Sequence, residues 1–371
     1  AGTLTLSGAN NYGGNTTVNG GTLAVSSTGT LGNNVSTLTI NSATVDLQRA
    51  VTVGSLLMSG TSPAITNSTG TSSLVVSGIS TLANTVTTSG LQTYTGAVTL
   101  GANTTLVSTD GVSAISLSST VNGAYALTIN NSGATTFGGI VGGTAALTSI
   151  TTDEGGTINL NGGAITTTGA QTYNEQMTLG ADTTLTSTGG ASAITLASTV
   201  NGARTLTINN SGATILGGVV GGTTALTGIT TNAGGTLSLN SGSITTTSIQ
   251  SYGEATTLGQ NTVLSAGAGN ILFGSTLSGA YTLSTTTTGG TTFTGAVGGT
   301  PLTGLTVTTA TLSAGDITLV SNAALSITNS GAGSITGIIA GSGVRVTKSG
   351  VGTLTFSGAN NYGGNTTVNG G

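Results

Sequence analysis

Apolar residues alternate with hydroxyl-bearing residues along most of this 371-residue chain. Typical runs are Thr3–Leu6, Thr157–Leu160 and residues 127–129 and 206–208, in which Leu or Ile occupies every second position. Successive side chains of a strand point to opposite faces, so this period of two predicts short strands with one buried face. No sustained run has the three-and-four spacing of an amphipathic helix. The pattern therefore predicts an all-β protein with almost no helix.

Pairs of glycines separate these runs and predict sharp corners between the strands. A glycine adopts positive φ angles without a side-chain clash, which suits it to tight turns. A turn signal recurs after roughly ten residues, so we expect many short strands rather than a few long ones. The pairs are Gly13-Gly14, Gly20-Gly21, Gly142-Gly143, Gly155-Gly156 and Gly298-Gly299.

Two repeat periods indicate how these strands stack. The long period is seen at the termini, where residues 1–21 recur at residues 351–371 with only two differences. Inside it, a Gln-x-Tyr motif recurs at equal spacing, at Gln92, Gln171 and Gln250. A stack in which each unit touches only its neighbours has a reason to repeat its sequence, whereas a globular sandwich does not. We therefore predict a parallel β-solenoid that is a fragment of a longer tandem array.

The predicted organisation is a single continuous β-solenoid over residues 1–371. Coils of roughly 20 to 26 residues, stacked at the inter-strand spacing of about 4.8 Å, would bury the inward Leu, Ile and Val in one narrow core. The predicted segments are 1–90, a strand repeat with connecting coils; 91–169, 170–248 and 249–325, three internal copies; 326–350, connecting coils; and 351–371, the start of the next long period.

Polar and aromatic positions that recur between the copies are candidates for structural ladders. Asx residues at corners bond nearby backbone and tolerate left-handed conformations, which favours capped turns or stacked amides over a ligand site. The tyrosines are candidates for a stacked aromatic row, with glycan binding as the alternative. The candidate positions are Asn103, Asp182 and Asn261; Asn130 and Asn209; and Tyr94, Tyr173 and Tyr252.

Composition restricts the chemistry that the chain can perform. Charged residues make up 3% of the sequence, with four Lys and Arg against eight Asp and Glu, and there is no His or Cys. The adjacent acids Asp153-Glu154 become Asn232-Ala233 in the next copy, so we interpret them as a solvated corner where Asp153→Asn has almost no effect. An occasional Ca²⁺ held by backbone carbonyls with Asp110 or Asp153 stays open. We predict no catalytic, cofactor-binding or metal-binding residues and no enzyme activity.

The same composition argues against two classes of partner. A net charge of −4 with only four basic residues gives no electrostatic attraction for nucleic acid. No apolar run reaches the roughly 18 residues that span a bilayer, so we do not expect this segment to insert into a membrane.

Composition also argues against disorder. A hydrophobic share of 36% is too high for a disordered chain, and those residues need a core.

Residues 2–25, GTLTLSGANNYGGNTTVNGGTLAV, resemble the autotransporter-associated β-strand repeat of Gram-negative type V secreted proteins. Residues 352–371 resemble it equally, and the internal copies resemble repeats of filamentous-haemagglutinin-like surface proteins. The resemblance implies a right-handed parallel β-helix, Sec export, and passage through an outer-membrane barrel or a partner pore. It implies an extracellular location at the bacterial cell surface.

We therefore hypothesise a non-catalytic structural shaft of an exported fibre, acting in adhesion, cell–cell contact or formation of a sheath or biofilm matrix. Its partners would be neighbouring repeat units of the same chain, sister fibres and cell-surface glycans. The alternative is a β-solenoid that binds ice or a crystalline polysaccharide through a flat Thr-rich face. That function needs Thr-x-Thr at the same point of each coil, and along the sequence these positions drift.

Overall fold

A computed structural model describes residues 2–371, so Ala1, the first residue of the terminal repeat, lies outside it. The chain divides into two compact units, residues 1–188 and 189–371. Both units consist of strands and turns, and no helix occurs between residues 2 and 371. The strands of the first unit are β1 (Thr3–Leu6), β2 (Thr16–Val18), β3 (Thr22–Val25), β4 (Thr37–Asn41), β5 (Thr44–Leu47), β6 (Ala50–Val53), β7 (Ser55–Ser59), β8 (Ala64–Thr66), β9 (Ser73–Val76), β10 (Ser80–Thr88), β11 (Gln92–Tyr94), β12 (Val98–Ser108), β13 (Ile115–Leu117), β14 (Val121–Asn122), β15 (Ala126–Asn130), β16 (Ala134–Phe137), β17 (Ser149–Thr152), β18 (Thr157–Leu160), β19 (Ala164–Thr167), β20 (Gln171–Tyr173), β21 (Gln176–Leu179) and β22 (Thr183–Ser187).

The second unit continues the same kind of short strand. Its strands are β23 (Ile194–Leu196), β24 (Val200–Asn201), β25 (Thr205–Asn209), β26 (Ala213–Leu216), β27 (Gly228–Thr231), β28 (Thr236–Leu239), β29 (Ser243–Thr245), β30 (Gln250–Tyr252), β31 (Ala255–Leu258), β32 (Thr262–Ser265), β33 (Ile271–Phe273), β34 (Leu277–Ser278), β35 (Thr282–Thr286), β36 (Gly290–Phe293), β37 (Val297–Leu302), β38 (Gly304–Thr309), β39 (Thr311–Ala314), β40 (Ile317–Leu319), β41 (Ala324–Asn329), β42 (Gly333–Ile335), β43 (Ile339–Ala340), β44 (Arg345–Ser349), β45 (Leu354–Phe356) and β46 (Thr366–Val368).

The strands of the first unit form three parallel ladders, one for each side of a three-sided coil. The first ladder joins β1, β3, β5, β8, β10, β12, β15, β17 and β20. The second joins β6, β9, β11, β13, β16, β18 and β21. The third joins β2, β4, β7, the leading halves of β10 and β12, and β14, and it continues through single bridges to β19 and β22.

The second unit has the same three-sided organisation. Its three ladders are numbered on from those of the first unit. The fourth ladder joins β23, β26, β28, β31, β34, β37, β40 and β43. The fifth joins β25, β27, β30, β33, β36, β39, β42 and β45. The sixth begins at β24, continues through single bridges, and joins β29, β32, β35, β38, β41, β44 and β46.

Each unit is therefore a parallel β-solenoid, which confirms the predicted all-β class. In the first unit, Leu4 pairs with Leu23 in the next coil, and Leu127 pairs with Ile150. The Leu4–Leu23 spacing falls just below the predicted coil length of roughly 20 to 26 residues, and the Leu127–Ile150 spacing falls inside it. Parallel pairing to the coils before and after satisfies most backbone donors and acceptors.

The inward positions hold the aliphatic core, as the alternating pattern predicts. In β15 the burial alternates along the strand, with Leu127 and Ile129 buried and their neighbours partly exposed. In β25 the corresponding Leu206 and Ile208 are also buried. Burying one such side chain contributes about 1.5–3 kcal/mol, so the core gains stability coil by coil.

Glycines occupy the corners that the sequence predicted. Gly142 has a φ of 71°, and a Cβ at this position would lie 2.1 Å from the carbonyl oxygen of Thr166 in the following coil. Only a glycine fits such a conformation at such a close approach of backbone. One glycine in four of the five predicted pairs has a positive φ, namely Gly21, Gly142, Gly155 and Gly298.

The internal copies do not begin again on the same side of the coil. From Tyr94 the second ladder passes through Leu117, Phe137 and Leu160, which completes three coils. Tyr173, the equivalent of Tyr94 in the next copy, lies two sides further on, in the first ladder. The first copy therefore spans three coils and two thirds of a fourth, so the motif moves to a different side at Tyr173. The division at residue 188 falls inside the copy predicted at 170–248, and the copy boundaries stay predictions.

Candidate functional site

The recurring Gln-x-Tyr motif forms a buried latch in the first unit. Gln92 and Tyr94 are both inward and fully buried. The Tyr94 hydroxyl donates to Gln92 Oε1 at 2.9 Å, and Gln92 Nε2 donates to the carbonyl oxygens of Val86 at 3.0 Å and Val107 at 2.8 Å. The glutamine thereby ties its own strand to the strand before it and to the next coil.

The same latch recurs at the other two copies of the motif. Tyr173 donates to Gln171 Oε1 at 2.9 Å, and Tyr252 donates to Gln250 Oε1 at 3.0 Å. Burial raises the pKa of Tyr94, Tyr173 and Tyr252, so each stays a neutral donor. All three tyrosines have no exposed surface, so the structure places none of them where a glycan could stack on its ring.

Tyr94 and Tyr173 are not stacked on each other. They lie in different ladders, and Tyr94 pairs with Val76 and Leu117. Tyr252 does belong to an aromatic row, but its partners are phenylalanines. Its ring centroid lies 5.1 Å from that of Phe273, which lies 5.3 Å from that of Phe293. The row thus joins residues of successive coils, whereas Tyr94 and Tyr173 are offset by two sides.

The recurring Asx positions are exposed corners that cap the next coil. Asn103 Oδ1 accepts a hydrogen bond from the backbone N–H of Ala126 at 3.0 Å, and Asn261 Oδ1 accepts one from the N–H of Thr282 at 2.9 Å. Asp182 is also exposed and engaged in a polar interaction. Asn103 and Asn261 thus act as caps between coils rather than as members of a ladder of stacked amides.

Asn130 and Asn209 are each followed by a second asparagine, and that second residue makes the buried hydrogen bonds. Asn130 and Asn209 are partly exposed at the ends of their strands. The buried Asn131 accepts a hydrogen bond from Thr135 Oγ1 at 2.9 Å, and the buried Asn210 accepts one from Thr214 Oγ1 at 2.7 Å. The candidate positions Asn130 and Asn209 therefore lie next to the residues that make these buried hydrogen bonds, Asn131 and Asn210.

Asp46 shows how the solenoid stabilises a lone acid. Its carboxylate accepts hydrogen bonds from the N–H and hydroxyl of Ser68, from Gln48 Nε2 and from the Thr66 hydroxyl. Burial raises the pKa of Asp46, but these hydrogen bonds outweigh it and hold the pKa below its usual value. This aspartate is therefore a charged structural residue.

The corner after β17 differs from the solvated corner that the sequence suggested. Glu154 is exposed, but Asp153 is half-buried, and its Oδ1 accepts a hydrogen bond from the N–H of Asn131 at 3.1 Å. Glu175, one coil further on, is 2% exposed and lies beside Asp153. Burial, together with the neighbouring Asp153 carboxylate, raises the pKa of Glu175 to about 8. Asp153 thus belongs to a pair of carboxyl groups that the sequence analysis missed.

The second unit repeats this corner with a single carboxyl group. Glu254 is 1% exposed, and Asn232 takes the place of Asp153, with its Oδ1 accepting from the N–H of Asn210 at 3.1 Å. Burial raises the pKa of Glu254 to about 7, while the hydrogen bond from Thr214 Oγ1 at 3.1 Å acts in the opposite direction. A signal was present in the sequence, because Glu175 and Glu254 occupy equivalent positions of successive copies in a chain with only eight acids.

An ordered array of hydroxyl groups covers part of one side of the second unit. In four successive strands of the sixth ladder, two outward positions each carry Ser or Thr, and the pairs align in register. Each of these residues is partly or fully exposed. The hydroxyl array consists of Ser284 and Thr286, Thr306 and Thr308, Ser326 and Thr328, and Thr347 and Ser349.

In the part of the chain that the structure describes, no group of three or more His, Cys, Asp or Glu side chains is placed to hold a metal ion. Within the same residues, 2–371, there is no helix of the length and apolarity needed to cross a bilayer.

The buried Gln-x-Tyr latches and Asn–Thr pairs are therefore structural parts of a repetitive β-solenoid. Residues 1–25 and 346–371 match the family model of the passenger-associated transport repeat, so the predicted resemblance is confirmed for both segments. Comparisons with curated proteins and with solved structures gave no significant match. The family description associates this repeat with the transport of passengers, and the match covers the two terminal segments of the chain.

Proposed function

We propose that this chain is a non-catalytic shaft segment of an exported bacterial surface fibre that acts in adhesion, cell–cell contact or matrix formation. The observation that carries the proposal is the pairing pattern, in which each coil pairs with the coils immediately before and after it. Such a stack can be lengthened by adding coils without a new kind of contact. The transport-repeat match at both terminal segments supports export of the passenger.

The surface chemistry is consistent with association through many weak contacts. Only four Lys and Arg and eight Asp and Glu occur in the chain, so neighbouring fibres repel each other little. Exposed hydroxyl and amide groups can donate to and accept from glycans or a second fibre. A single such contact contributes little, but repeated contacts add through multivalency.

The test displays the chain on the outer surface of Gram-negative cells and measures attachment to abiotic surfaces and to other cells. The matched variants neutralise one exposed acid at a time, as in Glu154→Gln and Asp316→Asn. A shaft without catalytic chemistry keeps its attachment in every variant that folds. Complete loss of attachment in one folded variant would contradict the proposal and point to a local active site.

A second candidate function is binding to ice or to a crystalline polysaccharide. The hydroxyl array favours it, because its rows repeat at about 4.8 Å along the stack and its two columns lie roughly 7 Å apart along the strands. Its Ser/Thr-x-Ser/Thr pairs occupy the same point of four successive coils. Although the Thr-x-Thr positions drift along the sequence, these four coils of the second unit form a regular patch.

The discriminating experiment replaces three threonines in one column of the array by valine, which keeps the β-branched shape and removes the hydroxyl. The triple variant carries Thr286→Val, Thr308→Val and Thr328→Val, and the control carries Thr105→Val in the first ladder. Ice recrystallisation and pull-down on crystalline cellulose and chitin are measured. This candidate predicts binding by the native chain and by the control but not by the triple variant. No binding by the native chain would reject it.

A further inference from the structure

Two carboxyl groups lie together at the Asp153–Glu175 corner of the first unit. Asn131, Asp153 and Glu175 follow β15, β17 and β20, so they occupy the same corner in three successive coils of the first ladder. Asp153 is half-buried, and Glu175 beside it is 2% exposed. The corner therefore joins a buried carboxyl group to one that is partly open to solvent.

The first unit offers no basic side chain to neutralise this corner. Arg49 is its one Lys or Arg, and its guanidinium donates to the carbonyl oxygen of Gly29 at 2.9 Å. Neither carboxylate oxygen of Glu175 accepts a hydrogen bond from a donor group, although the side chain is buried. A buried carboxylate without a partner is strongly unfavourable, so either a proton shared with Asp153 or a positively charged species has to compensate it.

Backbone oxygens converge on the same spot. A Cβ built on Gly156 would lie 2.2 Å from the carbonyl oxygen of Gly133, and 3.0 Å from both the carbonyl oxygen of Asn131 and Glu175 Oε1. No side chain at Gly156 separates these oxygens. One carboxylate oxygen of Glu175 and two carbonyl oxygens therefore lie around one point, and the Asp153 carboxyl group lies beside Glu175.

We propose that the corner formed by Asp153, Glu175 and the carbonyl oxygens of Asn131 and Gly133 binds a divalent cation of the calcium type. Calcium accepts six to eight oxygen ligands in flexible geometry, including carboxylates, carbonyls and waters, whereas magnesium requires a near-octahedral set. Two negative charges match one divalent ion. A site of this limited ligand number has an affinity typical of extracellular modules, with a Kd on the order of 0.1–1 mM.

The second unit contains a natural control for this site. At the equivalent corner, Asn232 replaces Asp153, so a single carboxyl group, that of Glu254, is present. That group accepts a hydrogen bond from Thr214 Oγ1, which satisfies one of its oxygens. The Glu254 corner therefore lacks the charge to hold a divalent ion, and we expect one site of this kind per chain.

The test uses the whole chain, stripped with a chelator and titrated with CaCl₂ at pH 8.5 by calorimetry, with thermal unfolding measured in parallel. We expect one calcium ion per chain and a higher Tm with calcium. Asp153→Asn should weaken binding by about tenfold or more, because half of the ligand charge is removed. Glu254→Gln should leave the binding isotherm unchanged.

Glu175→Gln would also remove a ligand, but this buried substitution can prevent folding. Asp153→Asn should fold, because asparagine already stands at the equivalent position 232. Binding of two ions, unchanged binding by Asp153→Asn, or no heat and no change in Tm in millimolar calcium would each overturn the proposal. Unfolding that depends on pH but not on calcium would also overturn it, and would identify a proton shared between the two carboxyl groups instead of a cation.

Discussion

The Gln-x-Tyr latch offers a sharp test of how the solenoid is stabilised. Tyr173→Phe removes the donor that lies 2.9 Å from Gln171 Oε1, and both side chains are fully buried. The amide oxygen then has no partner, which costs about 1–3 kcal/mol. A loss of about one or two kcal/mol changes the ratio of folded to unfolded molecules by a factor of about 5–30.

The two residues should behave as one unit in a double-mutant cycle. Gln171→Met leaves the Tyr173 hydroxyl and the carbonyl oxygens of Ile165 and Thr186 without the amide group. The double variant has neither the Tyr173 hydroxyl nor the Gln171 amide, so neither group is left without its partner. Its loss of stability should therefore be smaller than the sum of the losses in the two single variants. We expect a coupling free energy of about 0.5–3 kcal/mol, which is the range for groups in direct contact.

The assay is guanidinium denaturation followed by circular dichroism, with Thr172→Val as the matched control. Thr172 lies between the two latch residues but is partly exposed, so its replacement should change the stability by less than about 0.5 kcal/mol. Strictly additive effects of Tyr173→Phe and Gln171→Met, or a Tyr173→Phe effect no larger than that of Thr172→Val, would refute the latch.

Burial, titration and backbone geometry give three further predictions. Ile129→Asp should reduce the stability by several kcal/mol, because an unpaired charge enters the apolar interior; a melting curve like that of the native chain would contradict this. The raised pKa values of Glu175 (about 8) and Glu254 (about 7) mean that the folded chain binds more protons than the unfolded chain above pH 4.5. The free energy of unfolding in the presence of chelator should therefore fall as the pH rises from about 4.5 to 8. Glu175→Gln should make this fall shallower, and an unchanged slope in that variant would exclude Glu175 as the cause. Gly123→Ala should destabilise the chain by about 1 kcal/mol or more, because Gly123 has a φ of 128° and a Cβ there would lie 2.5 Å from the carbonyl oxygen of Leu100; equal urea midpoints would argue against this strain.

The fold could be predicted because its determinants are local and repeated. The alternation in β15, with Leu127 and Ile129 inward, is visible in the sequence, and a strand period of two follows from backbone geometry alone. The close approach of Gly142 to the next coil is likewise signalled by its glycine pair. The sequence does not show how many sides a coil has, so it could not show that an internal copy ends two sides away from its start.

The polar corners were predicted less well, because contacts between coils depend on that number of sides. Asp153 and Glu175 are well separated in the sequence and meet only once the coil length is known. The hydroxyl array was missed for the same reason, since Thr286 and Thr308 align only in the correct register. Recurrence between copies marked Tyr94 as structural, but the sequence could not show that its partner is the nearby Gln92 rather than another tyrosine.

If the chain acts through repetition of a non-catalytic surface, attachment strength should depend on the number of units, and measuring that dependence is the most direct test. Cells would display one, two or four copies of the long period at equal surface density, and the force needed to detach them would be measured. The account predicts that attachment rises more steeply than in proportion to unit number, because weak contacts along one fibre act together. A single unit that holds cells as strongly as four units would contradict it.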